Sequence, residues 1–168
     1  DAVKADIANF KKGLGAVKAE EGFITAVAPG SFGRRQNQYY KTDEEFLYAL
    51  ADALKEEYKA IVDAGIVLQI DDPGLPDNWD MANPEPPVAE YKKFAKTRIE
   101  AMNYALKGLP EDRIRYHICW GSWHGPHSTD LPLASIVDLL LTVQAGAFSI
   151  EAGNVRHEHE WKVWRDGK

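Results

Sequence analysis

His117 and Cys119, two residues apart, form the pair in this sequence with the clearest chemical potential. Residues 113–119 have the pattern of a β-strand, and positions i and i+2 of a strand project to the same face, so the two side chains should lie together. Imidazole and thiolate are both zinc ligands, with bonds of about 2.0–2.3 Å. The pair fits equally a buried cysteine packed as a small apolar residue beside a hydrogen-bonded histidine. Spacing alone leaves both interpretations open.

A carboxylate on the next predicted strand could complete this pair. Ser149 and Glu151 share one face of the segment 147–151. If the two strands are adjacent and parallel, Glu151 lies near His117 and Cys119. Three ligands of N, S and O type leave zinc one open position, which is typical of catalytic sites. The competing interpretation is a strand-end glutamate satisfied by a helix N-terminus.

Alternating helices and strands would position these residues. Apolar stripes with spacings of three and four predict four helices, over 2–19, from Thr42 to Gly65, and over 87–106 and 133–145. Short β-prone runs predict four strands, over 23–28, 66–70, 113–119 and 147–151. The run 66–70 is nearly all apolar, which predicts a strand covered on both faces. Residues 76–87 hold four of the nine prolines and predict a long loop, and a polar tail follows residue 151.

This alternation predicts an α/β fold with a parallel sheet, either doubly wound or closed into a barrel. Polar residues follow several strand ends, which is the rim where barrels gather their sites. We therefore expect a partial TIM (β/α)8 barrel of about four βα units, forming one domain over residues 1–168. A complete barrel needs ~250 residues, so four strands should leave two exposed parallel edges. A homo-oligomer, or a partner chain that completes the barrel, is expected.

Composition and charge exclude several classes of protein. The net charge is −6 and the pI is near 5.4, so no broad basic field is available to hold nucleic acid. No apolar run approaches the ~20 residues of a membrane helix, and a membrane location is not expected. A single cysteine among 168 residues predicts a reducing, cytoplasmic compartment.

Three motifs at consecutive predicted strand ends resemble a known family. Ile70-Asp71-Asp72-Pro73, His117-x-Cys119 and Ser149-Ile150-Glu151 are similar to motifs of the C-terminal barrel of cobalamin-independent methionine synthase. The string from Cys119 to His127, Cys-Trp-Gly-Ser-Trp-His-Gly-Pro-His, is closer to epoxyalkane:coenzyme M transferases and to methionine-synthase-like proteins. The resemblance covers nearly the whole chain.

The resemblance implies zinc-dependent transfer of a methyl or alkyl group to a thiol. The acceptor would be homocysteine or another small thiol, and the second substrate a methyl or alkyl donor. His117, Cys119 and Glu151 match three zinc ligands of the family, and Asp71 matches the aspartate that contacts the amino group of homocysteine. The family's further cysteine ligand has no counterpart, since Cys119 is the only cysteine. By this alignment the chain spans roughly the fourth to seventh strands of the barrel.

The loop after Cys119 supplies further candidates. His124, His127 and Asp130 are assigned to catalysis, in proton handling, and a rim loop stabilised by local hydrogen bonds is the alternative. Ser31 and Trp123 are assigned to substrate binding, although packing is the favoured role for the tryptophans of this loop, Trp120 and Trp123.

Two charged segments and two other functions remain to be weighed. Arg34 and Arg35 could steer an anionic substrate, and His157 and His159 are expected on a solvated face. The chain could instead be a catalytically incomplete barrel fragment that assembles with a partner or a second copy. A zinc hydrolase or a decarboxylase on a related barrel is the third possibility.

Overall fold

The chain folds as a parallel β-sheet with helices packed against it. The computed structural model describes residues 2–32, 37–82, 84–121 and 128–166. In chain order the helices and strands are α1 (Ala2–Leu14), β1 (Phe23–Val27), α2 (Pro29–Phe32), α3 (Asp43–Asp63), β2 (Val67–Asp71), α4 (Gly74–Asp80), α5 (Val88–Leu106), β3 (Ile114–Ile118), α6 (Val137–Leu140), β4 (Ala147–Ile150) and α7 (Lys162–Asp166). Short 3₁₀ turns occur at Glu111–Arg113, Leu133–Ser135 and Glu158–Trp161. Over these residues, no helix has both the length and the apolar character needed to cross a membrane.

The four strands pair in the order in which they occur in the sequence. The sheet order is β1-β2-β3-β4, and each neighbouring pair is parallel. The predicted α/β class and the four parallel strands are therefore confirmed. Within the described strands the order never reverses, whereas a doubly wound sheet reverses at its switch point.

One face of the sheet is covered by helices and forms the core. Five side chains of β2 and β3 that point to this face are at most 2% exposed: Leu68, Ile70, Ile114, Tyr116 and Ile118. They belong to one apolar cluster with Tyr58 and Ile61 of α3 and with Ile99 and Met102 of α5. Burying an apolar side chain of this size contributes about 1.5–3 kcal/mol, so this layer fixes the sheet against α3 and α5.

The opposite face, here called the open face, carries the alternate residues of the same strands. Val67, Gln69 and Asp71 of β2 all remain partly exposed. The coverage on both faces predicted for this strand is therefore not found among the described residues. Arg115 crosses the open face, where its Nε donates to Oε1 of Gln69 at 2.7 Å and its guanidinium lies 4.0 Å from the ring centre of Phe23.

Local sequence signals set the limits of α3 as predicted. The Thr42 hydroxyl accepts a hydrogen bond from the backbone N–H of Glu45 at 3.1 Å, and the Glu45 carboxylate accepts one from the N–H of Lys41 at 3.1 Å. Gly65 follows the helix with φ of 77°, a conformation that glycine adopts without strain. The first helix is shorter than predicted and ends at Leu14, just before Gly15.

The loop predicted over 76–87 is wrong in its first part, because α4 spans Gly74–Asp80. Pro76 lies in the first turn of α4, where backbone N–H groups have no partner within the helix, so proline costs little there. Trp79 then packs edge-on against Tyr91 of α5, with ring centres 5.3 Å apart. The proline content alone therefore predicted too long a loop. Whether a proline interrupts a helix depends on its position in the helix, and the first turn tolerates it.

The helix predicted over 133–145 is also wrong. The segment forms a 3₁₀ turn and the four-residue α6 instead. Asn103 of α5 explains the interruption, because its Nδ2 donates to the carbonyl of Thr142 and its Oδ1 accepts from the N–H of Gln144, both at 2.9 Å. These contacts take backbone groups that a longer helix would have paired internally.

Candidate functional site at the carboxyl ends of the strands

Three polar side chains form a row across the open face where β2, β3 and β4 end. We call Asp71, His117 and Ser149 the rim row. The parallel register places Asp71 opposite His117, and His117 opposite Ser149. Adjacent strands lie about 4.8 Å apart, so side chains in such a row can touch. The Asp71 and His117 side chains are 36% and 24% exposed, which leaves them within reach of a ligand.

The ring of His117 is oriented by both neighbours. Its Nδ1 lies 3.0 Å from the carbonyl oxygen of Ser149 and 3.3 Å from the hydroxyl of the same residue. Because a carbonyl oxygen only accepts, we assign the proton of the neutral ring to Nδ1, which leaves the lone pair on Nε2. That Nε2 lies 3.5 Å from Oδ1 of Asp71. Metal-binding histidines are commonly oriented in this way, with the other ring N–H donated to a carbonyl.

Cys119 lies one residue past the end of β3, in a half-buried position. Burial is the main cause that raises the pKa of its thiol. A backbone hydrogen bond from Gly121 lowers this pKa, and the negative charges of Asp71, Glu151 and Asp77 raise it further. A thiol in such surroundings stays protonated until a cation offsets the negative charge.

Glu151 occupies the equivalent place after β4. Its backbone N–H donates to the carbonyl of Ile118 at 3.3 Å, and its Oε1 accepts a hydrogen bond from Nδ2 of Asn154 at 3.3 Å. In residues 2–32, 37–82, 84–121 and 128–166, no group of three or more His, Cys, Asp or Glu side chains is arranged to hold a metal ion. The predicted ligands thus come from neighbouring strand ends, and their joint coordination of one ion stays a prediction.

Asp72 directly follows Asp71 in the sequence but points into the protein. It is 2% exposed, and its two carboxylate oxygens accept hydrogen bonds from the Ser31 hydroxyl at 2.6 Å and the Tyr116 hydroxyl at 2.9 Å. Burial raises the pKa of Asp72, and these two bonds together with Arg98 oppose the rise. The Ser31 oxygen also accepts from the N–H of Gly74 at 2.7 Å. The structure therefore places Ser31 in a buried network, and its predicted contact with substrate stays a prediction.

His157 is buried beneath the segment that follows β3, so its expected place on a solvated face is wrong. It is 4% exposed, and its Nε2 and Nδ1 lie 2.9 Å from Oδ2 of Asp130 and 2.8 Å from Oε2 of Glu160. Its ring stacks on that of Trp120 with centres 4.0 Å apart. Two carboxylates and an aromatic face thus compensate the burial of a polar ring. We call Asp130, His157 and Glu160 the C-terminal clamp.

The C-terminal clamp joins two segments that are far apart in sequence. Glu160 accepts a hydrogen bond from the N–H of Leu133 at 2.7 Å. The Asn154 side chain accepts from the N–H groups of Arg156 and His157, each at 3.0 Å. The sequence could have indicated that these side chains lie together. Asn154, His157 and Glu160 are three residues apart, the spacing that places side chains on one side of a 3₁₀ turn. The proton-handling role predicted for Asp130 stays a prediction.

Several predicted residues lie outside the part of the chain that the structure describes. These are Trp123, His124 and His127, together with Arg34 and Arg35. Trp120, in the same loop, is 2% exposed and donates from Nε1 to the carbonyl of Leu131 at 2.7 Å. The packing role favoured for the tryptophans of this loop is thus confirmed for Trp120.

Comparison with curated proteins finds distant relatives named methionine synthase. The chain is 30% identical over 103 residues to the protein from Sulfolobus acidocaldarius, a match that covers 60% of this chain and 26% of the relative. A protein from Saccharolobus islandicus gives the same identity, with 60% and 27% covered. One from Saccharolobus solfataricus is 31% identical over 88 residues, with 52% and 22% covered.

These matches support a methionine-synthase-like relationship. They are partial, because the chain spans about a quarter of the length of the curated relatives it matches. No protein-family model matches the chain. Similarity at this level identifies neither a zinc ion nor an acceptor thiol for this chain.

Proposed function

We propose that this chain contributes a zinc site that activates a thiol for methyl or alkyl transfer, with His117, Cys119 and Glu151 as its protein ligands. The orientation of His117 carries the proposal. Its Nδ1 faces the carbonyl of Ser149, which leaves the Nε2 lone pair on the open face, at the ends of the strands that also lead to Cys119 and Glu151. The distant similarity to proteins named methionine synthase supports the same class of reaction.

The charge and donor types at these strand ends fit a divalent cation. Asp71, Glu151 and Asp77 all act on the Cys119 thiol with negative charge. Imidazole, thiolate and carboxylate are common zinc ligands, and three of them leave one position for a substrate sulfur. A bound zinc ion would supply the Lewis acidity that keeps a substrate thiol in its nucleophilic thiolate form.

The residues of the chain itself would bind the substrates and handle the proton. Asp71 is partly exposed, and its carboxylate can accept hydrogen bonds from an amino group such as that of homocysteine. Ser31 and Trp123 are proposed to contact substrate. In the transfer, a sulfur–carbon bond forms while the bond from that carbon to its leaving group breaks. The leaving group keeps the electron pair and takes up a proton, for which Asp130, His124 and His127 are proposed.

We also propose that the sheet is part of a TIM barrel whose inner surface is the open face. The sequential strand order and the polar rim row at the strand ends support this architecture. Among the described strands β1 and β4 are outermost, so each offers an unpaired parallel edge. A second copy, a partner chain or further residues of a longer protein would pair with these edges.

Zinc content measured on purified protein tests the site. We expect about one zinc ion per chain in the unchanged protein, and its loss in Cys119→Ser and His117→Gln. His159→Gln is the matched control, because His159 is exposed and belongs to the 3₁₀ turn Glu158–Trp161 rather than to a strand end. A protein that binds no zinc, or that keeps it in Cys119→Ser, would show that the proposed thiol activation is wrong.

Two further measurements separate the other functions. With cobalt in place of zinc, added homocysteine or another small thiol should increase the sulfur-to-cobalt absorption, a response that a hydrolase or decarboxylase would not require. Light scattering tests assembly, because a stable monomer of 18.8 kDa would contradict the proposal that another chain covers the sheet edges. An oligomer without bound metal would favour a catalytically incomplete assembly fragment.

A further inference from the structure

The C-terminal clamp lies close to the candidate site, yet the proposed transfer reaction uses only Asp130 from it. We propose that His157 and Asn154 are positioning residues that hold the Glu151 carboxylate in place at the end of β4. The inference rests on the proposed function, which makes Glu151 a ligand, and adds how that ligand is kept in place.

The first step is the fixed position of His157. The side chains of His157 and Asp130 are 5% and 8% exposed, and each ring nitrogen faces a carboxylate oxygen. A ring N–H donates to a carboxylate oxygen, and hydrogen bonds to an ionised acceptor are roughly twice as strong as neutral ones. With Trp120 stacked on the ring, His157 is held on three sides.

The second step leads from His157 to Asn154. The backbone N–H groups of His157 and Glu158 donate to the carbonyl of Asn154 at 3.2 and 2.8 Å. The side-chain oxygen of Asn154 accepts from the N–H groups of Arg156 and His157. Four hydrogen bonds thus fix both the backbone and the side-chain amide of Asn154 relative to His157.

The third step leads from Asn154 to Glu151. Because Oδ1 and Nδ2 of Asn154 belong to one planar amide group, fixing Oδ1 also aims Nδ2, which donates to the Glu151 carboxylate. Glu151 itself lies just past the end of β4, where its backbone N–H donates to the carbonyl of Ile118. Hydrogen-bond partners of metal ligands typically change metal affinity by about 10–100-fold when they are removed. Glu151 is thus oriented by a turn anchored at His157.

The reactivity of Cys119 in metal-free protein tests this positioning. The alkylation rate by iodoacetamide, in the presence of a chelator, is compared for the unchanged chain, Glu151→Gln, His157→Gln and the double variant. Glu151→Gln should speed alkylation about threefold, because it removes a negative charge that opposes formation of the Cys119 thiolate. In the His157→Gln background the same change should have an effect below about 1.5-fold, because the carboxylate has already moved away. A merely structural role for His157 would leave the effect of Glu151→Gln unchanged.

Matched variants distinguish a loss of positioning from a loss of folding. His159→Gln, two residues away and exposed, should preserve the full effect of Glu151→Gln. Asn154→Ala leaves the contacts of the C-terminal clamp in place. In this background Glu151→Gln should no longer speed alkylation, as in the His157→Gln background. Asn154→Ala therefore replaces His157→Gln in the experiment if His157→Gln does not fold. An equal effect of Glu151→Gln in all backgrounds, or no effect in the unchanged chain, would overturn the proposal.

Cobalt titration then connects the positioning to the proposed site. His157→Gln and Asn154→Ala should each weaken cobalt binding about 10–100-fold, and His159→Gln should not change it. If the unchanged chain binds no cobalt, the proposed function fails, while the alkylation experiment still decides the positioning. Cobalt binding of equal strength in all four proteins would refute the positioning of Glu151 as a ligand.

Discussion

His117 in the rim row and His157 in the C-terminal clamp show how differently one side chain can be used. His117 is partly exposed, with Nδ1 bound to a carbonyl and Nε2 3.5 Å from a carboxylate oxygen. His157 is buried, and both its nitrogens lie within 2.9 Å of carboxylate oxygens. A histidine with one weakly held nitrogen can exchange that contact for a ligand, whereas one with two tight contacts holds the chain together. Four substitutions or conditions test this contrast.

The largest effect is expected for His157→Leu. This change removes the contacts of His157 with the buried carboxylates of Asp130 and Glu160, and it should lower the free energy of unfolding by about 3–5 kcal/mol. His117→Leu breaks one neutral and one long contact at a partly exposed position, and should cost under about 1 kcal/mol. Urea denaturation measures both, with His159→Leu as the exposed control. Equal losses for the two variants would mean that the two histidines do not differ as described.

When zinc is present, His117 should become the histidine on which the gain in stability depends, because the rim row is the proposed ligand-binding region. At a free concentration of about 100 times its Kd, a ligand that binds only the folded state adds about 2.7 kcal/mol to the free energy of unfolding. We expect this gain for the unchanged chain and for His159→Gln, and its absence in His117→Gln. The measurement is urea denaturation with and without zinc. A gain that persists in His117→Gln would place the metal away from the rim row.

Adjacent residues Asp71 and Asp72 allow a finer test of exposed against buried positions. Burial raises the pKa of Asp72, so folding favours its protonated form. Its contribution to stability is therefore fully present below the unfolded pKa and is lost as pH rises through the folded pKa. Asp72→Asn removes this loss, and the variant should gain stability relative to the unchanged chain as pH rises above the unfolded pKa of about 3.9.

Urea denaturation across this pH range measures the difference, with Asp71→Asn as the neighbouring control on the open face. Asparagine retains one oxygen to accept a hydrogen bond from Ser31 or Tyr116. A stability difference between Asp72→Asn and the unchanged chain that is constant with pH would contradict the raised pKa.

The smallest effect is expected for Ser149→Ala. The Ser149 hydroxyl lies 3.3 Å from Nδ1 of His117, but the carbonyl of the same residue lies closer, at 3.0 Å, and remains in the variant. The free energy of unfolding should change by less than about 0.5 kcal/mol, and zinc binding should be kept. A loss of zinc binding in Ser149→Ala would show that the hydroxyl, and not the carbonyl, orients the ring.

The elements that could be predicted are those whose signals are local. The Thr42–Glu45 capping box and Gly65 define α3, because their hydrogen bonds and backbone angles involve residues within a few positions. The alternation in β3 correctly placed Tyr116 and Ile118 on the buried face and His117 on the other. The alternation of helices and strands predicted a parallel sheet, which the structure confirms.

The elements that were missed depend on residues distant in sequence. The interruption after α6 is made by Asn103, which lies about 40 positions earlier. The burial of His157 depends on Asp130 and Trp120, whose positions follow from the packing of the segment after β3. The periodicity of 133–145 and the polar composition after residue 151 carry no information about such partners.

The amino-acid sequence by itself determined which residues of a strand share one face, since the two-residue period of a strand is a property of the backbone. It therefore predicted that His117 lies on the opposite side of its strand from Tyr116 and Ile118, as the burial pattern of β3 confirms. Only the tertiary structure decided which histidine is accessible and which is enclosed. The reason is that burial and charge compensation depend on segments from distant parts of the chain. A local sequence pattern does not show which of these segments pack together.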